Sequence, residues 1–583
     1  MQKKLIICVF ILFNIRAMAQ KIVQSDWQQR VEYTIDVELD DKNHVLHGHI
    51  EMKYTNNSLD ALSEVYMHLW PSGYKNNSTA FGKQMKENRE MDFYYSEKDE
   101  RGYMDSVAFL MNGKTIQVEK TEHIDVQKLI LTEPIKSGQT VTFSTPFRVK
   151  LPQVFSRLGH EEQDYFITQW YPKPAVYDVN GWNPMPYLNL GEFYSEFGRF
   201  EVNITLPENY TVVATGEVSD SAELSDFKAG KGTDVPASSK ELETVTFTAN
   251  DVHDFAWFAS KRWGYVTKQI NVGDKKVLAR VVAAEPNTED LSHIETAITY
   301  YSSQVGEYPY SHATVVHGEL KAGGGMEYPM ITLCDYMDRE VIVHEVGHNW
   351  FYGILASNER RYPWMDESIN SYYEGQAISV GQRKSEDLNQ QIMGMIASDN
   401  MLCHKHQAIS SSSEELTNEN YGVSIYGYGA EAFGYLKAYL GDAMFKACMR
   451  AYYDEWKFKH PLPGDMQEVY ERVSGEDLSW FFKDFLDSDQ RLDYSISENS
   501  EGFVLKNVST IKAPVPVDIT VAGKTTTNWY SVAPGEELLI PVSGDDKSAI
   551  IDPKGKTLEM NTANNVPRRT IQLKGFFGKD DPA

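Results

Sequence analysis

The feature that most constrains this chain is the motif His-Glu-Val-Gly-His at residues 344–348, which lies between the apolar runs 341–343 and 350–351. Residues four apart on a helix lie on the same face, so His344 and His348 could both reach one metal ion at about 2.0–2.1 Å. The apolar flanks predict that this helix is buried, and buried polar side chains need partners. The alternative is a helix with two hydrogen-bonded core histidines, which requires no third ligand.

Glu367 is the candidate third ligand, and 18 residues separate it from His348. The polar segment 356–361 predicts a turn, and Pro363 is typical of the first position of a new helix. An antiparallel helix pair would bring Glu367 back beside both histidines. Two histidines and one glutamate with an open fourth position form a catalytic zinc arrangement, so the sequence predicts one zinc ion per chain.

Glu345 and Glu374 are the acidic residues closest to these ligands in the predicted helices. Glu345 adjoins His344 and can reach a water at the metal, which predicts that it acts as the general base. Glu374 lies two turns after Glu367 on the same helix face, where its carboxylate could orient a ligand. The alternative for Glu374 is a solvated helix residue.

These segments resemble the aminopeptidase N family of gluzincin zinc metallopeptidases, which includes leukotriene hydrolase. The matching runs are 344–350 and 364–368, and the family's Gly-x-Met-Glu-Asn motif corresponds to 324–328 here, with Tyr328 in place of Asn. The resemblance implies that Glu327 binds the free α-amino group of a peptide substrate. The resemblance also implies that Gly324, Gly325 and Met326 form a strand edge that lines the cleft.

The family also places a tyrosine, in a Tyr-x-x-Gly context on a later helix, where it stabilises the oxyanion. Tyr426 matches by order and spacing, so the resemblance implies this role for it. Tyr421 and Tyr428 compete for the role, because the stretch is rich in tyrosine and core aromatics are common. Gln169 lies near a segment where the family has a glutamine that contacts the substrate amine, but it is not among the predicted site residues.

Hydrophobic periodicity divides the chain into regions. Alternation over segments such as 31–39 and 199–206 indicates half-buried strands, and helical spacing follows further along the chain. The predicted helices span 290–304, 338–354, 364–378, 389–401 and 429–440. The resemblance implies a multidomain α+β fold with an N-terminal β-sheet domain, a thermolysin-like, mainly helical catalytic domain and a C-terminal β-sandwich. The predicted boundaries are a signal peptide at 1–19, the N-terminal β domain at 20–265, the zinc catalytic domain at 266–488, the β-sandwich at 489–562 and a polar tail at 563–583.

The N-terminus predicts export. Two lysines, an apolar run over 5–13 and Ala-Met-Ala at 17–19 form a secretory signal peptide, so we expect a periplasmic or secreted protein. An uncleaved N-terminal anchor is the alternative, but the run is too short for a stable span and no other long apolar stretch exists, so we expect no stable membrane insertion. The formal net charge of -27 disfavours nucleic acid as a partner.

Together these features predict a zinc-dependent aminopeptidase. It would hydrolyse the N-terminal bond of peptides with a free N-terminus through a zinc-activated water, with Glu345 as general base. One alternative is a zinc endopeptidase or another hydrolase on the same scaffold, because Tyr328 departs from the family motif and the large C-terminal helical domain of many relatives is not expected here. A second alternative is a non-catalytic peptide-binding protein. We expect a monomer.

Overall fold

A computed structural model describes residues 27–219, 227–232, 235–380, 406–544, 546–559 and 561–567. The predicted signal peptide at 1–19, the predicted helix over 389–401 and most of the polar tail lie outside the described residues. The predicted domain boundaries remain predictions.

A large twisted sheet forms the centre of the N-terminal region. The strand Arg30–Asp40 runs parallel to Gly198–Pro207 and antiparallel to its other neighbour, Val45–Thr55. Its burial alternates from residue to residue, so that Tyr33, Ile35 and Val37 face the core while the polar residues between them face solvent. The order of the strands across this sheet is Glu217–Val218, Leu242–Val252, Gly198–Pro207, Arg30–Asp40, Val45–Thr55, Thr140–Lys150, Leu110–Met111 and Lys114–Thr115, with Tyr103–Asp105 also pairing with Thr140–Lys150.

Smaller sheets and short helices cover this large sheet. One sheet has the order Lys173–Pro174, Leu62–His68, Val126–Ile135 and Gln117–Lys120; another has the order Gly159–Glu161, Asp164–Ile167, Trp257–Ser260 and Thr211–Ala214. The strands Tyr177–Asp178 and Gly181–Trp182 form a short hairpin. The short helices of this region are the 3-10 helix Trp70–Lys75 and the α-helices Ala80–Glu87 and Asp92–Tyr95.

A second sheet begins the helical region and places one strand at the candidate cleft. The strand Gly325–Tyr328 lies at an edge of this sheet, antiparallel to Ile331–Cys334. An edge strand has backbone groups free to meet a ligand, as the family resemblance implies for this segment. The order of the strands is Phe227–Lys228, Gly264–Val272, Lys275–Ala283, His312–His317, Ile331–Cys334 and Gly325–Tyr328.

Helices pack on this sheet and carry the predicted metal ligands. The helix Asp290–Gln304 has the predicted bounds. We name Arg339–Gly347 the first ligand helix and Glu367–Ser379, which follows the 3-10 turn Pro363–Met365, the second ligand helix. The later helices are the short Asn418–Asn420, the π-helical segment Tyr421–Gly429, the α-helices Ala430–Leu440, Asp442–Trp456 and Pro463–Ser474, and the π-helical segment Trp480–Phe485.

The prediction of one continuous helix over 338–354 is wrong in its second half. The helix ends at Gly347, and the backbone N–H groups of Asn349 and Trp350 bond three residues back instead of four. Such tightening ends an α-helix, and Tyr352 then adopts a positive φ of 109°. His348 is the C-cap residue and still bonds to the carbonyl of His344 at 3.2 Å, so both imidazoles stay on one face.

The C-terminal residues form two facing sheets. One has the order Tyr494–Glu498, Gly502–Asn507 and Glu537–Pro541, and the other has the order Lys524–Tyr530, Val515–Val521 and Lys547–Ile551. A short 3-10 helix, Thr562–Asn564, follows. The predicted multidomain α+β fold class is therefore confirmed. Within the described residues, no helix combines the length and the apolar character that crossing a bilayer requires.

Two glycines on the ligand helices give a test of this packing. A Cβ at Gly347 would lie 2.3 Å from Asn370 Oδ1 and 2.4 Å from Tyr301 Oη, both buried, whereas a Cβ at Gly375 would meet nothing within 4 Å. Gly347→Ala should lower the free energy of unfolding by about 1–3 kcal/mol through overpacking. Gly375→Ala, the matched control, should raise it by about 0.5–1 kcal/mol. Denaturant unfolding measures both, and equal effects would contradict the helix packing.

Candidate metal centre and cleft

The two ligand helices are held side by side by buried polar contacts. The first begins with an N-cap, because the Asp338 side chain accepts a hydrogen bond from the backbone N–H of Val341 at 2.8 Å. In the second, Asn370 Nδ2 donates to the carbonyl of His344 at 2.8 Å, and Asn370 Oδ1 accepts from Tyr301 Oη at 2.8 Å. One asparagine therefore fixes the second helix against the turn that carries the first histidine.

The side chains of His344, His348 and Glu367 converge. Their ligand atoms all lie within 4.8 Å of one another. The two Nε2 atoms are 3.0 Å apart, and Glu367 Oε2 lies 3.2 Å from each of them. Two imidazole nitrogens and one carboxylate oxygen form a donor set that Zn²⁺ prefers, so these residues fit the metal that the sequence predicts.

A carboxylate binds the far nitrogen of each imidazole. Glu374 Oε2 lies 3.0 Å from His344 Nδ1, and Asp366 Oδ1 lies 2.6 Å from His348 Nδ1. A carboxylate accepts hydrogen bonds, so this contact would keep a ring proton on Nδ1 and leave the lone pair of each Nε2 to a bound metal. Carboxylates behind histidines are a common support of metal sites. Glu374 thus contacts a predicted ligand directly.

The field of these carboxylates favours a cation. Burial lowers the pKa of His344, but its hydrogen bonds to Glu367 and Glu374 outweigh burial and raise the pKa to about 10. The same field attracts a divalent metal ion, which competes with protons for the imidazole nitrogens. The electrostatics therefore agree with the donor set.

Gly325 makes room for the predicted base. Burial raises the pKa of Glu345 to about 7, although the charges of His344 and His348 oppose the shift. A Cβ at Gly325 would lie 2.4 Å from Glu345 Oε1, so only glycine leaves space for this carboxylate. Glu345 Oε2 is buried without a hydrogen-bond partner. Gly324, the residue before Gly325, has more space, since a Cβ added to Gly324 would lie 3.4 Å from its nearest neighbour, Val341.

Glu327 lies beside the predicted ligands on the edge strand. Its carboxylate shares a cluster with His348, Asp366 and Glu367, in which one atom of each residue lies within 4.8 Å of the others. It is 4 % exposed, and its Oε1 has no hydrogen-bond partner. Burial is the main cause that raises the pKa of Glu327. Next to it, Met326 Sδ accepts a hydrogen bond from Arg157 Nε at 2.9 Å.

Tyr328 turns away from the cleft into a buried polar chain. Its hydroxyl donates to Gln169 Oε1 at 3.0 Å, and Gln169 Nε2 donates to Asp254 Oδ2 at 2.8 Å. Asp254 Oδ1 accepts from Lys173 Nζ at 2.7 Å and from Tyr171 Oη at 2.9 Å. All five residues are buried. The side chain that departs from the family motif therefore anchors the edge strand to the N-terminal region.

Of the competing tyrosines, Tyr426 is the one that reaches the predicted ligands. Its hydroxyl donates to Glu367 Oε1 at 2.5 Å, and its ring lies 5.8 Å from that of His344. Tyr428 instead packs against the guanidinium of Arg491 at 4.7 Å. Tyr421 contacts the ring of Tyr426 at 5.8 Å, behind it. The π-helical backbone that carries them is a conformation often found at functional sites.

The comparisons with known proteins agree with this geometry. Residues 294–485 match the family model of the peptidase family M1 domain. The match covers less than half of the chain, and we call this matched region the M1 domain. The resemblance predicted from the sequence is therefore confirmed, and both ligand helices and Tyr426 lie inside the M1 domain.

Curated relatives align over part of the chain. The probable aminopeptidase 2 of Sulfurisphaera tokodaii is 26% identical over 200 residues, which are 32% of this chain and 26% of that protein. The glutamyl aminopeptidase of Bitis rhinoceros is 27% identical over 141 residues, which are 23% of this chain and 15% of that protein. The alignments thus span about a quarter or less of these relatives' length.

Solved structures share the fold over most of the chain. The M1 zinc metallopeptidase of Deinococcus radiodurans has a TM-score of 0.55 and 15% identity, covering 79% of this chain and 93% of that one. Aminopeptidase A of Legionella pneumophila, in complex with aspartic acid, has a TM-score of 0.63 and 14% identity, covering 91% of this chain and 59% of that one. At this low sequence identity, the likeness shows a shared fold and nothing beyond the fold.

Some residues of the site were missed in the sequence. Asp366 directly precedes Glu367 in the sequence, and this position could have predicted that its carboxylate binds the Nδ1 atom of a ligand histidine. Asn370 had no such signal, since its role depends on how the two ligand helices pack. Arg157 and Glu192 come from the N-terminal region, far from the M1 domain in sequence, and only the fold brings them to the cleft. Gln169, which was considered and left out of the predicted site, contacts Tyr328.

The buried chain at Tyr328 generates a prediction. Tyr328→Phe leaves Gln169 Oε1 without its donor in a buried position, which should lower the free energy of unfolding by about 1–3 kcal/mol. Tyr336→Phe is the control, because Tyr336 is 60% exposed. In the double variant Tyr328→Phe/Gln169→Leu the two losses should add to less than their sum, because both substitutions break the same Tyr328–Gln169 hydrogen bond, while Gln169→Leu also removes a donor from Asp254 Oδ2. Denaturant unfolding without any loss in the single variant would argue against the chain of hydrogen bonds.

Proposed function

We propose that this protein is a zinc-dependent aminopeptidase that hydrolyses the N-terminal bond of peptides, with zinc held by His344, His348 and Glu367. The observation that carries the proposal is the convergence of two Nε2 atoms and one carboxylate oxygen, each pair 3.0 to 3.2 Å apart. The aminopeptidase names of the aligned relatives support the same activity. One zinc ion per chain, a monomeric state and export remain predictions from the sequence.

Zinc, when bound, polarises a carbonyl oxygen and lowers the pKa of a water molecule. Glu345 takes the proton of the attacking water and passes it to the amine that leaves. Two observations suit it to this role: Oε2 has no partner inside the protein, and Gly325 leaves space at the carboxylate. A pKa raised toward neutrality by burial also suits a group that must both accept and release a proton.

Tyr426 stabilises the oxygen that gains charge during the attack. Its hydroxyl donates to the carboxylate of Glu367 and therefore lies beside the atoms that would hold the metal. One such donor contributes roughly 3 kcal/mol in comparable sites.

Glu327 selects the end of the peptide. Its buried carboxylate, with Oε1 unpartnered, is suited to hold the α-ammonium group of a substrate beside the predicted ligands. With the amine fixed there, only the first peptide bond reaches the reacting groups. The endopeptidase alternative rested on Tyr328 and on the expected lack of a large C-terminal helical domain. The first ground is weakened, because the Tyr328 hydroxyl points to Gln169 instead of Glu327.

Glu345→Gln tests the role of the base. The variant keeps the shape of the side chain but cannot accept a proton, so kcat on leucine anilide should fall by about 10²–10⁴-fold. Zinc content, measured by atomic absorption, should stay at the level of the unaltered protein. Glu340→Gln, an exposed position on the same helix, is the control and should retain activity. Full activity of Glu345→Gln would exclude the mechanism.

Glu327→Ala tests the amine anchor. The variant should lose kcat/KM on amino acid anilides by about tenfold or more, because a charged hydrogen bond to the α-ammonium is lost. The residual rate on the N-acetylated anilides, which carry no such charge, should change little. An equal loss on both kinds of substrate would show that Glu327 does not read the amine.

A further inference from the structure

Two buried carboxylates near the cleft have no part in the proposed mechanism. Glu359 lies in the turn between the ligand helices; it is 1 % exposed, and neither carboxylate oxygen has a hydrogen-bond partner. Glu192 lies in the N-terminal region and is 6 % exposed. Its Oε1 pairs with Arg157 Nη2 at 2.6 Å, while its Oε2 is buried without a partner.

The charges of both residues interact with Glu327, the proposed amine-binding residue, or with each other. Burial is the main cause that raises the pKa of Glu359, and the charges of Asp366, Glu327 and Glu192 raise it further. Among the carboxylates that act on Glu327 itself, Glu192 is the strongest. The two segments also touch, because Arg360 Nε donates to the backbone carbonyl of Glu192 at 3.3 Å.

The charges in this part of the cleft are unbalanced. The carboxylates are Glu192, Glu327, Glu345, Glu359, Asp366 and Glu367, and their interactions with one another raise the pKa of Glu359 and Glu327. The cations are Arg157, which pairs with Glu192, and Arg360, which also interacts with Glu192 but forms its ion pair with Glu414. A metal ion and a substrate α-ammonium would still leave negative charge in excess. A buried carboxylate without a partner is costly, which indicates that Glu359 meets its partner in a ligand.

A second metal ion is a poor candidate for that partner. Among the described residues, the sets of imidazole and carboxylate atoms that converge closely enough to hold a metal include neither Glu192 nor Glu359. A substrate side chain needs no such convergence. Because both oxygens of Glu359 are unpartnered, a planar guanidinium could donate two parallel hydrogen bonds to it.

We propose that Glu359, with Glu192 beside it, forms a subsite for a second positive charge of the substrate, namely the side chain of an N-terminal arginine or lysine. The subsite rests on the proposed aminopeptidase function and names its substrate class. Glu327 holds the α-ammonium, and Glu359 binds the cationic side chain of the same residue. Arginine is preferred to lysine, since its fork matches both free oxygens.

The first experiment uses the zinc-loaded full-length protein without any substitution. The substrates are the aminomethylcoumarin amides of arginine, citrulline, lysine and leucine; citrulline has nearly the shape of arginine but no charge. We expect kcat/KM for arginine to exceed that for citrulline by about tenfold or more, the effect of one charged hydrogen-bonded contact. Equal values for arginine and citrulline would overturn the subsite, while cleavage of the other substrates would leave the proposed function standing.

The second experiment assigns the preference to residues. Glu359→Gln should bring the arginine to citrulline ratio close to one while kcat/KM for leucine changes little, and Glu192→Gln should lower the ratio by less. Glu419→Gln, an exposed position near the π-helical segment, is the control. Thermal unfolding and zinc content of each variant show that it is folded and loaded.

The outcomes separate the two proposals. If Glu359→Gln keeps the wild-type ratio of kcat/KM for arginine to that for citrulline, the subsite is overturned. The subsite is also overturned if the unaltered protein binds a second zinc ion and Glu359→Gln loses it. A zinc-loaded protein that cleaves none of the four substrates overturns the proposed function, and the subsite with it.

Discussion

The close packing of the two ligand helices is the constraint on which the site depends. The helices must approach closely, and Gly347 permits this because a Cβ there would collide with Asn370 and Tyr301. Asn370 in turn donates a hydrogen bond to the carbonyl of His344 and so fixes the position of one helix along the axis of the other. Because this position is fixed, Glu367 lies opposite both imidazoles. Glu367 is the first residue of its helix. A polar site inside an apolar layer is stable only with this degree of fit.

The N-terminal region forms part of the site as well as part of the scaffold. Arg157 reaches Met326 on the edge strand and pairs with Glu192 at the cleft. Gln169 binds Tyr328, the next residue but one after Met326. The strand that carries Glu327 is thus held on both sides by residues outside the M1 domain. A change in the N-terminal region can therefore alter the position of Glu327 without touching a predicted ligand.

Local patterns in the sequence predicted what depends on local structure. The strand Arg30–Asp40 and the helix Asp290–Gln304 follow their periodicities closely, because one face of each is buried along its whole length. The helix over 338–354 was predicted too long, because apolar residues continue after Gly347 although the chain turns there to pack its aromatic side chains. Glu192 and Glu359 were not predicted, since a lone acidic residue has no local signal. Only the fold brings their two segments into contact.

The position of Tyr328 explains how the strand can depart from the family motif and still hold Glu327 beside the predicted ligands. An asparagine at this position has a short side chain that stays near the strand. The longer tyrosine instead carries its hydroxyl to Gln169, within a chain that ends at the buried pair of Lys173 and Asp254. Because neighbouring side chains of a strand point to opposite faces, Tyr328 can gain this anchor while Glu327 still faces the predicted ligands. The tyrosine therefore adds an anchor for the strand, and the Glu327 carboxylate keeps its place beside the predicted ligands.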